Sequence, residues 1–300
     1  MNWQAAPAQR VAASVGRMAE NRVGSALLVS ALAFAASACG DNETVPPERT
    51  PYTGGAPAPL ECVPNLDGKI EASEVAPAIG ISVSYLVSPF GVERTVNLAG
   101  AQGGSGTVWD FSTDFADDQE ARIKPSAIAG KWYEGSFPPD AFVTPFDAGG
   151  SLENIGLHTD SALLLLGLAS RDENPAEGKT LVVYDPPVEV LRFPIQPGTK
   201  YASVGQVKNG MIRGLPYAGK DTYEVEVDEL GSVVLPALIF KQAHRVRTRV
   251  TVEPAVGNAT SQRQVSFFTE CFAEVVRVTS NTGEAAADFT TAAEVRRIGF

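Results

Sequence analysis

The sequence predicts an all-β fold, either an antiparallel β-sandwich or a curved half-barrel-like sheet. Three observations point there. Beyond residue 76, apolar residues recur at every second position, helical periodicity is nearly absent, and short strand-like runs are bounded by Gly, Pro and Asn. Alternation of this kind puts one strand face in a core and the other in water, as antiparallel sheets do. Many such strands with frequent turns are the pattern of sandwiches and strongly curved sheets.

The elements follow in chain order. Ile81, Val83, Tyr85 and Val87 alternate with Ser82, Ser84, Leu86 and Ser88, and predict the first strand. Residues 107–112, 162–168, 180–184, 188–193 and 200–207 read as further strands. Tyr223, Val225 and Val227 alternate with Glu224, Glu226 and Asp228. His244, Val246, Thr248, Val250 and Val252 alternate with Arg245, Arg247, Arg249 and Thr251. Three more runs, 264–269, 272–279 and 292–298, complete the set, with Asn281-Thr282-Gly283 as a turn between the last two. A helical turn or two is expected only at 71–75 and 114–121. Residues 125–160, rich in Pro and Gly, read as a long loop within one domain.

The N-terminus predicts export. Arg10, Arg17 and Arg22 precede an uncharged stretch whose apolar part runs from Ala26 to Ala38, and the next charge is Asp41. Its length suits a signal-peptide core. A membrane-spanning helix needs about 20 mostly apolar residues, and Ser25, Ser30 and Ser37 dilute this one further. A translation start at Met18 gives a signal of ordinary length. Ala36-Ser37-Ala38-Cys39 resembles the lipobox of bacterial lipoproteins, where small residues precede a cysteine that takes a diacylglycerol thioether, although Ala36 stands where Leu is usual. The competing reading is plain secretion with cleavage at the same bond. Cysteine arithmetic favours lipidation: of Cys39, Cys62 and Cys271, lipidating Cys39 leaves an even pair. The organisation is then a signal at 1–38, a lipidated Cys39 and Pro/Gly-rich linker at 39–60, and a β-rich domain at 61–300. Gly40, by resemblance to Gram-negative sorting rules, implies an outer-membrane destination.

Cys62 and Cys271 are expected to form a structural disulfide, as oxidising compartments permit. A redox-active pair needs a CxxC-like setting that these two lack. Removing residues 1–38 takes away three basic residues and one acid, which leaves 21 basic and 34 acidic, a net charge of −13. That balance opposes nucleic acid or anionic head groups as broad partners. The expected partners are a membrane, through the anchor, and an unidentified protein or glycan.

Candidate chemistry is sparse. Asn65-Leu66-Asp67-Gly68-Lys69-Ile70-Glu71-Ala72-Ser73-Glu74 resembles the second half of an EF-hand or dockerin loop, with Asn65, Asp67, Glu71 and Glu74 as possible calcium ligands. Val63 stands where the first carboxylate belongs, and Pro77 cuts the exit helix. The favoured reading is an Asp-Gly turn and a capped helical turn pinned by Cys62, with no cofactor. Gly103-Gly104-Ser105-Gly106 lacks the ending of a phosphate-binding loop. Together with Trp109-Asp110-Phe111-Ser112 and residues 223–249, it resembles stretches of exported bacterial β proteins. That resemblance covers about 37 residues and implies no activity. Asp110, Asp114, Asp117 and Asp118 near Trp109 would suit a carboxylate-dependent polysaccharide hydrolase. His244 reads as a hydrogen-bonded core or edge residue and His158 as a solvated loop residue. Arg245, Arg247 and Arg249 read as cross-strand partners of Glu224, Glu226 and Asp228 on a wet face. Phe300 follows Ile298 as in outer-membrane barrels, but Glu294 and Arg296 break a lipid-facing pattern. The chain thus reads as a lipid-anchored envelope protein with a structural or binding role and no catalytic residues. The alternatives are the hydrolase and a lipid- or lipoprotein-carrying half-barrel.

Overall fold

The structure is a computed structural model that describes residues 62–104, 106–146 and 149–299. The signal, Cys39 and the linker lie outside the described residues. A 3₁₀ turn, Ala72–Val75, comes first. Sixteen strands then join one large, mainly antiparallel sheet that does not close into a barrel. They are β1 (Val83–Val87), β2 (Arg94–Thr95), β3 (Ala101–Gly103), β4 (Gly106–Asp110), β5 (Gln119–Ile123) and β6 (Ser126–Ala127). Next come β7 (Phe142–Pro145), β8 (Leu152–His158), β9 (Ala162–Ser170), β10 (Leu181–Arg192) and β11 (Lys200–Ile212). The chain ends with β12 (Leu215–Val234), β13 (Ile239–Pro254), β14 (Thr260–Thr269), β15 (Ala273–Ser280) and β16 (Thr291–Ile298).

The all-β prediction holds, in its single-curved-sheet form. Several boundaries differ. Residues 114–121 form no helix; their C-terminal part enters β5. The supposed loop at 125–160 contains β6, β7 and β8, because its prolines and glycines border the strands and fill their turns. Runs 180–184 and 188–193 are one strand, β10, with a register shift between Val183 and Val188. Ile81 precedes β1 and is exposed.

Two topological facts give the sheet its curl. Its main path begins at β5 and ends at β6, yet only Lys124 and Pro125 separate these strands in the chain. Ile123 and Ser126 can be no more than about 11 Å apart, so the sheet must bend until its edges approach. Off this path, β4 pairs in parallel with the last residues of the interior strand β12, through Gly231↔Thr107 and Val233↔Trp109. From β4 to β14 is three strand spacings, about 14 Å if flat. The rings of Trp109 and Phe267 lie 4.8 Å apart, so the sheet folds sharply here.

Both faces of the central strands are buried. Phe267 and Phe268 are neighbours on β14, point to opposite faces, and are 0 % and 9 % exposed. On one face, Phe267 joins Trp109, Phe111, Leu98, Val276 and Phe289. On the other, Phe268 joins Val225, Val227, Val246, Ile195 and Ile70. Residues 128–141 cover a third cluster around Tyr133, Val143, Ile155 and Leu166 on β7–β9. These three apolar clusters are therefore covered by segments of the same chain.

Gly231 lets β4 approach β12: a Cβ there would lie 2.4 Å from the Thr107 carbonyl oxygen and 2.6 Å from the Trp109 ring. Gly231→Ala should cost about 2 kcal/mol, a Tm loss of about 4–8 °C, while Gly135→Ala, facing open space, should stay near wild type. Thermal unfolding followed by circular dichroism checks both.

Candidate functional site

The first functional region is the N-terminal loop latched to the sheet. Cys62 and Cys271 are disulfide-bonded, with Cα atoms 5.6 Å apart across 209 residues of sequence. The chain-entropy account assigns such a loop about 5 kcal/mol, so the bond is a structural staple. Glu270, 4 % exposed, accepts the backbone N–H groups of Asn65 (2.6 Å) and Leu66 (2.9 Å). His244 Nε2 donates to the Gly68 carbonyl at 3.0 Å. Ile70 and Ile195 exchange backbone hydrogen bonds, which docks Ile70 into its cluster.

Within this loop the four residues read as possible calcium ligands serve the backbone. Asn65 Oδ1 accepts from the Asp67 N–H, Asp67 Oδ1 from the Lys69 N–H, and Glu74 Oε2 from the Glu71 N–H, closing a capping box. The Lys69 ammonium pairs with Glu71 and lies 4.0 Å from Asp67, holding positive charge among these oxygens. Among the described residues no group of three His, Cys, Asp or Glu gathers as a metal site. This is the Asp-Gly turn with its capped helical turn.

The acidic cluster is spread over arginines. Asp117 and Asp118 bond Arg94, and Asp118 also bonds Arg297 at 2.9 Å. Asp114 is exposed, and Asp110 accepts the Ser112 N–H. The Arg94 guanidinium holds Asp117 below the usual carboxylate range, and the Ser112 hydroxyl and N–H do so for Asp110. Trp109 is fully buried and donates its indole N–H to the Leu98 carbonyl, so it offers no face to a sugar.

The arginine stripe pairs across strands as expected, Arg249 with Glu224 and both Arg245 and Arg247 with Asp228. It is not a wet face throughout. Arg245 is 6 % exposed, because residues 94–111 fold over it, and it donates to the Leu98 carbonyl. Burial pushes the Asp228 carboxyl up, but the two arginines outweigh it and hold it low. His158 also differs from expectation. It ends β8, packs 5.1 Å from the Phe193 ring, and is pushed toward its neutral form by burial.

Two features were missed from the sequence. Asp221, 8 % exposed, accepts the Tyr184 hydroxyl at 2.6 Å while its Oδ1 has no partner; burial raises its pKa against the opposing hydroxyl. The available signal was parity, since Asp221 stands in register with inward-facing Tyr223, Val225 and Val227. The second is a cavity of about 70 Å³ where the sheet edges approach. Ala121, Ile123 and Arg296 line it from β5 and β16, facing Pro145, Gly149, Gly150 and Arg171, with Arg122 at its margin. No family model matches the chain, and neither a curated protein nor a solved structure matches it.

Burial lowers the His244 pKa below 6.5, against the Gly68 carbonyl and Glu270, which raise it. The neutral imidazole is the folded form. Its contribution is complete above about pH 6.5 and declines as pH falls toward the depressed folded value. His244→Gln keeps a donor for Gly68 but cannot titrate. The stability gap between wild type and variant should shift against wild type on acidification from pH 7 to 5, by at most about 1.4 kcal/mol per pH unit. Urea unfolding across that range measures it.

Proposed function

We propose that this chain is a lipid-anchored cell-envelope protein, destined for the outer membrane of a Gram-negative bacterium, whose β domain has a structural or binding role. The Cys62–Cys271 disulfide carries the reading. It suits an oxidising, exported compartment, and it leaves Cys39 as the odd cysteine, directly after an apolar signal core. Cys39 is then the lipidation site, and the membrane is the first partner. A binding role fits better than catalysis because the carboxylates near Trp109 are engaged by arginines and the tryptophan is buried. It fits better than lipid carriage because the chain's own segments cover three of the sheet's apolar clusters.

Palmitate labelling of cells expressing the full chain tests the anchor, followed by membrane fractionation and mass spectrometry of the mature N-terminus. A diacylglyceryl Cys39, with label and membrane association lost in Cys39→Ser, is the expected result. An unacylated mature terminus overturns it.

A further inference from the structure

From the cavity between the sheet edges we infer that the chain binds a compact oxyanion of the phosphate class, held by Arg171, Arg296 and Arg122. This rests on the cavity alone and is independent of the lipid anchor. Among the described residues, Arg122, Arg171 and Arg296 line the cavity and no Asp or Glu does. Arg296 is the inner residue: its side chain is 9 % exposed, and its Nε is buried without a partner. Its Cα partner across the sheet is another arginine, Arg277, which is committed to Glu274. The single carboxylate on Arg296, Glu294 at 3.2 Å, satisfies only one arm of the fork.

Arg171 supplies the opposite wall. Its guanidinium packs over the bare Cα of Gly150, where a Cβ would meet Nη2 at 2.0 Å. Gly150 also adopts φ +62°, a backbone conformation that favours glycine. The wall is therefore shaped to admit this arginine. Its nearest carboxylate among the described residues, Glu153, is 3.9 Å away and already held by Lys131 and Tyr133. Arg122 at the margin is paired with Glu120 and largely exposed, and gives a third, adjustable donor.

The cavity has room for several water-sized positions, which fits a phosphoryl group. A tetrahedral dianion can accept from three guanidinium forks at once, whereas a carboxylate has oxygens for two. The chain's net charge of −11 repels anions at long range, so capture depends on this local geometry.

Isothermal titration calorimetry of the full chain with sodium phosphate, against sodium chloride at matched ionic strength, tests the site. Saturable binding of phosphate but not chloride is expected. In Arg171→Gln the affinity should fall at least tenfold, with the Tm in phosphate-free buffer within about 2 °C of wild type, since this side chain is half exposed. Lys208→Gln, far from the cavity on exposed surface, should bind as wild type. Absence of saturable heat up to about 20 mM phosphate overturns the site, as does equal binding by Arg171→Gln. Vesicles of phosphatidic acid in phosphatidylcholine separate the sources. Recruitment that Arg171→Gln abolishes assigns a lipid phosphomonoester, and phosphate binding without recruitment assigns the free anion.

Discussion

A sheet with both faces apolar must be covered, and the covering chain brings backbone groups that no strand partner satisfies. That constraint organises this molecule. Unpaired buried N–H and C=O groups cost about as much as lost hydrogen bonds. Here the partners are charged side chains projecting from the sheet itself. Arg245 takes the Leu98 carbonyl, and Arg297 takes those of Phe111 and Thr113. Arg263 holds Glu284 and Ala285, and Arg247 holds Ala287. Glu270 does the converse on the other face, accepting two N–H groups from the N-terminal loop.

The arrangement works because register puts these residues in rows. Arg297, Val276, Phe267, Arg245 and Glu229 lie side by side across five strands on one face. Arg296, Arg277, Ser266, Val246 and Val227 form the adjacent row on the opposite face. A register shift between Val227 and Glu229 leaves Asp228 as an extra residue on β12. Its carboxylate accepts from both Arg245 and Arg247. A one-residue slip would exchange the two rows and bury the wrong charges, so register is strongly specified here.

The sequence makes strands legible where one face is wet. Tyr223, Val225 and Val227 were readable because Glu224 and Glu226 alternate with them. It is less informative where both faces are covered, since the reason lies in residues far along the chain. Arg245 has the pattern of a surface strand, and nothing local shows that residues 94–111 will fold over it. Residues 125–160 read as loop because strand-length cues were broken by Pro138, Pro139, Gly149 and Gly150, although β7 lies between them and β8 directly after. The disulfide was legible from cysteine count and compartment. The arginine-lined cavity was not, because Arg122, Arg171 and Arg296 come together only when the sheet edges approach.

The position of the disulfide bears on how a tethered domain would carry load. Any pull along that tether would enter the domain at Cys62. The hydrogen bonds to Glu270 and His244 lie just beyond it and, alone, would open one after another as the loop peeled from β13 and β14. The Cys62–Cys271 bond passes the force directly to the turn between β14 and β15, in the middle of the sheet order. Peeling is then blocked before the first hydrogen bond is loaded. A staple at the first described residue protects the cover over Phe268 and Val246 more than it adds to the core itself.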